Sequence, residues 1–196
     1  MSGSRGRLFV VAGPSGVGKG TVVRRVLELV PGLRLSVSAT TRPPRPAERD
    51  GVDYRFLDEA AFDELARGGG LLEHAEVFGH RYGTPRRWVE ERLEAGEDVV
   101  LEIDVQGADQ VRRAIPEAVL IFLDTPSMPE LERRLRSRGT EDEARLARRL
   151  ATAERERGQR ARFDHVVVND DLVRASAQVA AIIGGSHGPP EGSTHP

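Results

Sequence analysis

The sequence predicts an α/β fold in which a parallel sheet is covered by helices on both faces, and two observations carry that expectation. Residues 8–12, 99–103 and 119–123 are short, near-continuous apolar runs rich in Val, Leu and Ile, the pattern of parallel strands buried on both sides. Helical, charge-bearing stretches alternate with them, so strand and helix signals follow one another along the chain.

Residues 1–6 have no apolar pattern and are expected to be a flexible N-terminus. The run 8–12 is followed by glycines and then by a helical pattern over residues 21–29. Residues 40–51 are rich in Pro and Arg, the composition of an exposed loop. Residues 71–83 hold short strand-like pieces broken by polar residues and glycine. Neither segment suits the core, and about 36–96 reads as an inserted lobe. Thr84 and Pro85 resemble a helix start, with Thr as the cap and Pro in the first turn. Ser127-x-x-Glu130 and Thr140-x-x-Glu143 read as capping boxes opening Arg-rich helices, so about 127–162 forms a second, helical excursion. Residues 166–168 are a shorter strand, and Gly184 and Gly185 close the last helix. Residues 186–196, rich in Gly, Pro, Ser and His, are expected to be a disordered tail. His187 and His195 lie in it with no carboxylate or thiol cluster beside them, so they do not suggest a metal site. One domain over 7–185 is the expected organisation.

Composition narrows the function. The net charge is −2 with a pI near 6.2, which argues against a basic nucleic-acid surface. Absence of cysteine rules out disulfides, thiolate metal sites and cysteine nucleophiles. No apolar run approaches the ~20 residues that span a bilayer, and residues 1–6 carry no signal-like hydrophobic stretch. A cytoplasmic protein without nucleic-acid or membrane partners is expected; monomer and homo-oligomer both suit the sequence. Of the 29 basic residues 28 are arginine, and the one lysine is Lys19.

Lys19 stands in Gly13-Pro14-Ser15-Gly16-Val17-Gly18-Lys19-Gly20-Thr21, after a predicted strand and at the opening of a helix. In that setting glycines let backbone N–H groups converge on phosphate oxygens, the helix N-terminus adds a favourable dipole, and the lysine bridges the β- and γ-phosphates. The loop predicts an ATP site and phosphoryl transfer. The strict pattern has Ser or Thr directly after the lysine, to meet Mg²⁺; here Gly20 takes that place and the hydroxyl comes one residue later, at Thr21. The metal contact is therefore expected to be indirect or shifted.

The acceptor is read elsewhere. Ser36-Val37-Ser38-Ala39-Thr40-Thr41-Arg42-Pro43-Pro44-Arg45, leading on to Glu48, Gly51 and Tyr54, resembles the guanylate kinases, which make GDP from GMP and ATP. The resemblance continues through Glu73, Tyr82-Gly83-Thr84, Glu102-Ile103-Asp104-Val105-Gln106-Gly107, Arg138-Gly139-Thr140, Arg148-Arg149-Leu150 and Val168-Asn169-Asp170-Asp171-Leu172. It covers residues 7–183 in the family's order and spacing. It implies a P-loop NTPase-type parallel sheet core flanked by helices, with a GMP-binding lobe over about 36–96 and a helical lid over about 127–162.

By that resemblance Arg42 and Arg45 grip the GMP phosphate with Tyr54 and Tyr82, and Glu48 belongs to the same loop. Guanidinium forks match phosphate oxygens, and a proline-stiffened loop holds them in place. Ser38, Glu73, Thr84 and Asp104 correspond to the guanine-binding group; guanine offers N1–H and an amine side by side, and one carboxylate can accept from both. Arg138 and Arg149 fold over the phosphates from the lid, with Arg134 nearby on the ATP side. Asp104 also organises Mg²⁺ through water, and Asn169 is placed toward adenine. Two departures from the family pattern are Ala47, where glycine is common, and His74, where an aromatic is common. The rivals are a kinase of another small phosphate, which the Arg42/Arg45 and Glu73/Thr84 sets disfavour, and a non-catalytic interaction module, which the intact Lys19 loop disfavours.

Overall fold

A computed structural model describes residues 4–137 and 143–185. Arg138 and Thr140, with the second capping box, and the tail 186–196 lie outside the described residues.

The main sheet is parallel throughout. It contains β1 (Leu8–Ala12), β2 (Arg34–Leu35), β7 (Val99–Glu102), β8 (Val119–Asp124) and β9 (His165–Val168), in the order β2-β7-β1-β8-β9. Strand period divides its residues between two cores. Leu8, Val10 and Ala12 of β1 point to one face with Val99 and Leu101; Phe9 and Val11 point to the other with Val100, Ile121 and Leu123. The first face is covered by α3 (Arg86–Glu94) and α4 (Val105–Ala114) through Val89, Leu93, Ala108 and Val111. The second is covered by α1 (Lys19–Leu29) and α7 (Leu172–Gly185) through Val22, Val26, Ala175, Val179 and Ile183. Adjacent strands β1 and β7 thus feed helices on opposite faces, and a crevice opens at their carboxyl ends, where open α/β sheets bind ligands.

A second, four-stranded sheet lies between β2 and α3. Its order is β4-β3-β6-β5, from β3 (Ala39–Thr40), β4 (Arg55–Phe56), β5 (Leu71–Val77) and β6 (His80–Pro85). With α2 (Glu59–Arg67) it buries a small core of Ala39, Phe62 and Leu71. Helix α3, within the 36–96 stretch assigned to the lobe, instead packs Val89 and Leu93 into the main core. Its cap is also corrected: Pro85 occupies the cap position with no side-chain bond, because Thr84 is still in β6 and its hydroxyl is committed across the sheet.

After β8, α5 (Met128–Arg136) and α6 (Glu143–Arg157) form a helical pair around Leu131, Leu135, Leu146 and Ala153. Ser127 caps α5 as expected, accepting from the Glu130 N–H at 3.3 Å. The pair sits on the glycine-rich loop, since a Cβ at Gly16 would come 2.6 Å from the Leu135 side chain.

Candidate active site

The loop Gly13–Lys19 leaves β1 with Gly13, Gly16 and Gly18 at φ of 148°, 93° and 95°, the left-handed region that favours glycine. Its shape is held from both sides. The Val17 carbonyl accepts from Asn169 Nδ2 at 2.8 Å and from Arg134 Nη1 at 3.4 Å, while Arg134 Nη2 donates to the Asn169 carbonyl at 2.8 Å. Lys19 Nζ donates back to the carbonyls of Gly13 (2.6 Å) and Pro14 (3.2 Å). From α6, Arg149 Nη2 donates to Ser15 Oγ at 2.7 Å. Thr21, in the first turn of α1, is exposed.

A cavity of about 420 Å³ connects this loop to the second sheet. Gly13, Ser15 and Lys19 line it from the loop and Ser38, Tyr54, Glu73 and Tyr82 from the second sheet and its connections; Glu102, which ends β7, and Asp104, which precedes α4, line it as well. Tyr54 and Tyr82 meet edge to face with centroids 6.0 Å apart, and burial raises the Tyr54 pKa.

Glu73 is the most constrained of these groups. It is 4% exposed on β5 and accepts from the Thr84 hydroxyl on β6 at 2.7 Å. Burial pushes its carboxyl up to about 7, hydrogen bonds from Thr84 pull the other way, and nearby Asp104 adds to the rise. Asp104 caps α4, accepting from the Gly107 N–H at 2.7 Å and from Gln106 at 3.2 Å. A buried carboxylate with one hydroxyl donor has remaining acceptor capacity, which suits a ligand edge carrying two donors.

Arg42 and Glu48 face each other in the Pro-rich loop. Arg42 Nη2 donates to both Glu48 oxygens, at 2.8 and 2.9 Å, and stands 5.3 Å over the Tyr54 ring. Burial opposes charge on each, but the pair outweighs it: Glu48 and Tyr82 raise the Arg42 pKa, and the Arg45 N–H with Arg42 lowers that of Glu48. The Glu48 carboxylate is thus engaged in shaping the loop. Arg45 has a side chain 73% exposed, 3.8 Å from Glu48.

Three acidic groups carry roles that the sequence did not assign, although Glu102 stands in a motif already noted. Glu102 has its pKa raised by burial against the pull of Lys19 and Arg24, and a Cβ at Gly20 would lie 3.2 Å from both its oxygens. Glu156, on α6, lines the cavity, is raised by burial and by Asp104, and accepts from the Ser15 N–H. Asp124, 3% exposed at the end of β8, takes two bonds from Arg157 at 2.7 and 3.2 Å and so ties α6 to the sheet. A signal existed for α6: Arg149 and Glu156 fall on the same helical stripe as Leu146, Leu150 and Ala153, the face that is buried.

Similarity to known proteins agrees with this geometry. The guanylate kinase family model matches residues 5–185. The chain belongs to the guanylate kinase family. A guanylate kinase of Thermus thermophilus is 57% identical over 183 residues, covering 93% of this chain and 82% of that protein. One of Synechococcus sp. is 55% identical over 174 residues, covering 89% and 93%. Among solved structures, the guanylate kinase of Anaplasma phagocytophilum superposes with a TM-score of 0.80 at 34% identity, covering 97% of this chain and 90% of that one. The P-loop parallel-sheet core of the family is the core described above.

Proposed function

We propose that this protein transfers the γ-phosphoryl group of ATP to the phosphate of GMP, giving ADP and GDP. The observation that carries the proposal is one cavity joining the Lys19 loop to the buried Glu73–Thr84 pair, beside family membership over residues 5–185. An oxygen of the GMP phosphate attacks the γ-phosphorus, and ADP leaves. Such a transfer needs positioning and compensation of negative charge more than covalent help.

In this reading the N–H groups of residues 13–21 hold the ATP phosphates. Lys19 moves from the Gly13 and Pro14 carbonyls onto those phosphates, and Arg149 with Arg138 adds charge as α6 closes. Arg134 and Asn169 position the loop through Val17. Arg42 and Arg45 receive the GMP phosphate with Tyr54 and Tyr82, while Glu48 holds Arg42 in place. Ser38, Glu73, Thr84 and Asp104 read the base. The second sheet serves as the GMP-binding lobe and the α5–α6 pair as the lid, within one domain over 7–185.

Mg²⁺ fits the donor chemistry. It is a hard cation that binds through one or two carboxylates plus phosphate and water, not through a full protein cage; correspondingly, no cluster of three or more acidic or His groups able to hold a metal occurs among the described residues. Asp104 through water, Glu102 and the Thr21 hydroxyl would hold it, with Glu102 facing the Gly20 backbone where most phosphate loops carry a hydroxyl. When bound, Mg²⁺ neutralises charge on the β- and γ-phosphates. No helix among the described residues is long and apolar enough to cross a membrane, and a cytoplasmic setting, where GMP and ATP meet, suits the reaction.

The test is a steady-state comparison of GMP, AMP, dTMP and a sugar phosphate with ATP and Mg²⁺. GMP is expected to lead by ~10³ or more in kcat/KM, as sites built on hydrogen bonds discriminate. Comparable turnover of AMP or of the sugar phosphate would overturn the assignment.

A further inference from the structure

The carboxylate that reads guanine in the proposal above sits on β5, but the groups that determine where it points lie on a different element. Helix α4 packs against β5 and makes two contacts with it that the proposed chemistry does not use. Gln110 reaches across to the residue after Glu73 and holds its backbone at both ends: Gln110 Nε2 donates to the His74 carbonyl at 2.7 Å, and the His74 N–H donates to Gln110 Oε1 at 3.2 Å. A side-chain amide bonded this way replaces a missing neighbouring strand, and it fixes both the height and the rotation of β5 at this point. One turn earlier on the same helix face, Gly107 is buried, and a Cβ built on it would lie 3.0 Å from the carboxyl carbon of Glu73 and closer still to Oε2. No real side chain occupies such a position. The glycine has no backbone reason to be there, since its φ is not in the left-handed region and glycine is a weak helix former. Its N–H also donates to Asp104 Oδ1, so the second carboxylate of the base-reading group is aimed from the same turn.

We infer that α4 determines nucleobase selectivity, with Gly107 providing the space for the Glu73 carboxylate and Gln110 fixing the strand that presents it. Both are positioning residues: neither touches the base, and each acts through Glu73. Opposite Gly107, Thr84 holds Oε1, so the carboxylate is gripped by a hydroxyl on one side and by an empty helix surface on the other. Any methyl at 107 must turn the group away from the plane in which two donors of one base edge can meet two oxygens.

The inference rests on Glu73 as the guanine reader, and the experiment separates the two. Gly107→Ala, Gln110→Ala, Glu73→Gln and Glu73→Asp are assayed with GMP and AMP at saturating and limiting ATP, with melting temperatures measured in parallel. Gly107→Ala is expected to lower kcat/KM for GMP about 30-fold, chiefly through KM for GMP, with KM for ATP within about twofold and the GMP/AMP ratio narrowed. Gln110→Ala moves the same quantities in the same direction by about fivefold. Glu73→Asp withdraws the carboxylate by one methylene, so combining it with Gly107→Ala should cost less than the product of the two single losses, the signature of contacting residues. If Gly107→Ala fails to fold, Gln110→Ala decides, because that side chain is partly exposed and lies outside the core clusters. GMP kinetics and GMP/AMP ratio unchanged in Gly107→Ala or, failing its folding, in Gln110→Ala, while Glu73→Gln loses the preference, would overturn the role of α4 alone. Retained preference in Glu73→Gln would remove both it and the guanine-reader assignment.

Discussion

The second sheet and the α5–α6 pair both lean over the crevice, yet they are attached to it by different chemistry. The sheet is joined through close approach and neutral bonds: β5 packs on α4, where Gly107 carries no side chain, and the His74 backbone is held by Gln110. The helical pair is joined through guanidinium groups, from Arg157 to Asp124, Arg134 to Val17 and Asn169, and Arg149 to Ser15. Neutral, short-range contacts hold a recognition surface in one geometry. Charged contacts converging on a phosphate loop can be exchanged for contacts to phosphate, because the guanidinium finds an equivalent anion when the ligand arrives. Under the proposed function, the contrast suits base selectivity in the first excursion and charge compensation at the ATP phosphates in the second.

The largest effect should come from the lid side. Arg149→Ala is expected to lower kcat by ~10³, the scale of arginines that compensate charge in phosphoryl transfer, with GMP affinity measured without ATP unchanged. Loss of GMP affinity in that variant would erase the division between the two regions.

On the lobe side the lever is pH. With Glu73 at about 7 in the folded protein, ionised carboxylate becomes scarce below neutrality, and GMP binding should weaken by up to about tenfold per pH unit from 7 downward. The GMP phosphate itself titrates near pH 6, so Glu73→Gln serves as the reference: its weaker binding should lack the steeper component. Stability runs in the opposite sense. The folded state keeps the Glu73 proton above the ordinary carboxylate range, so its contribution is fully present below pH ~4.5 and is lost as pH rises through about 7. Integrated, this amounts to about 3 kcal/mol, and Glu73→Gln should gain stability over the parent between pH 5 and pH 8 in urea titrations. Parallel pH profiles in the two proteins would show that Glu73 is ionised throughout.

The smallest effect on GMP handling belongs to the tether. Arg157→Met leaves Asp124 buried without its two-bonded partner and should cost ~3 kcal/mol of stability, yet GMP affinity is expected to stay within about twofold because α4 and β5 are untouched. A large change in GMP affinity would mean that the two regions are mechanically coupled.

How much could be read from the sequence follows the range of the interactions. The β1–loop–α1 unit is local, and its glycines, lysine and following helix were legible together, as were the buried strands β7 and β8. The two-residue strands β2, β3 and β4 left no periodicity to detect, since their existence depends on neighbours distant in the chain. Thr84 was misread as a cap because its partner Glu73 is eleven residues away, across a hairpin; a local rule lost to a cross-strand bond. Glu73 itself was legible only through the family resemblance. Glu156 was hidden among the many charges of α6, although its place on the apolar stripe distinguished it, and Gly107 passed as an ordinary small residue because the space it leaves is visible only once β5 is packed beside it.

Having a single lysine also has a preparative consequence. Lys19 is the only primary-amine side chain among 29 basic residues, and it lines the cavity. Reagents that acylate amines do not attack guanidinium groups, which stay protonated and delocalised. Side-chain amine chemistry therefore has one address in this protein, and bound phosphates would stand directly in front of it. An amine-selective label becomes a count of open phosphate loops once it is read by peptide mapping, which separates Lys19 from the more acidic α-amine of the chain terminus.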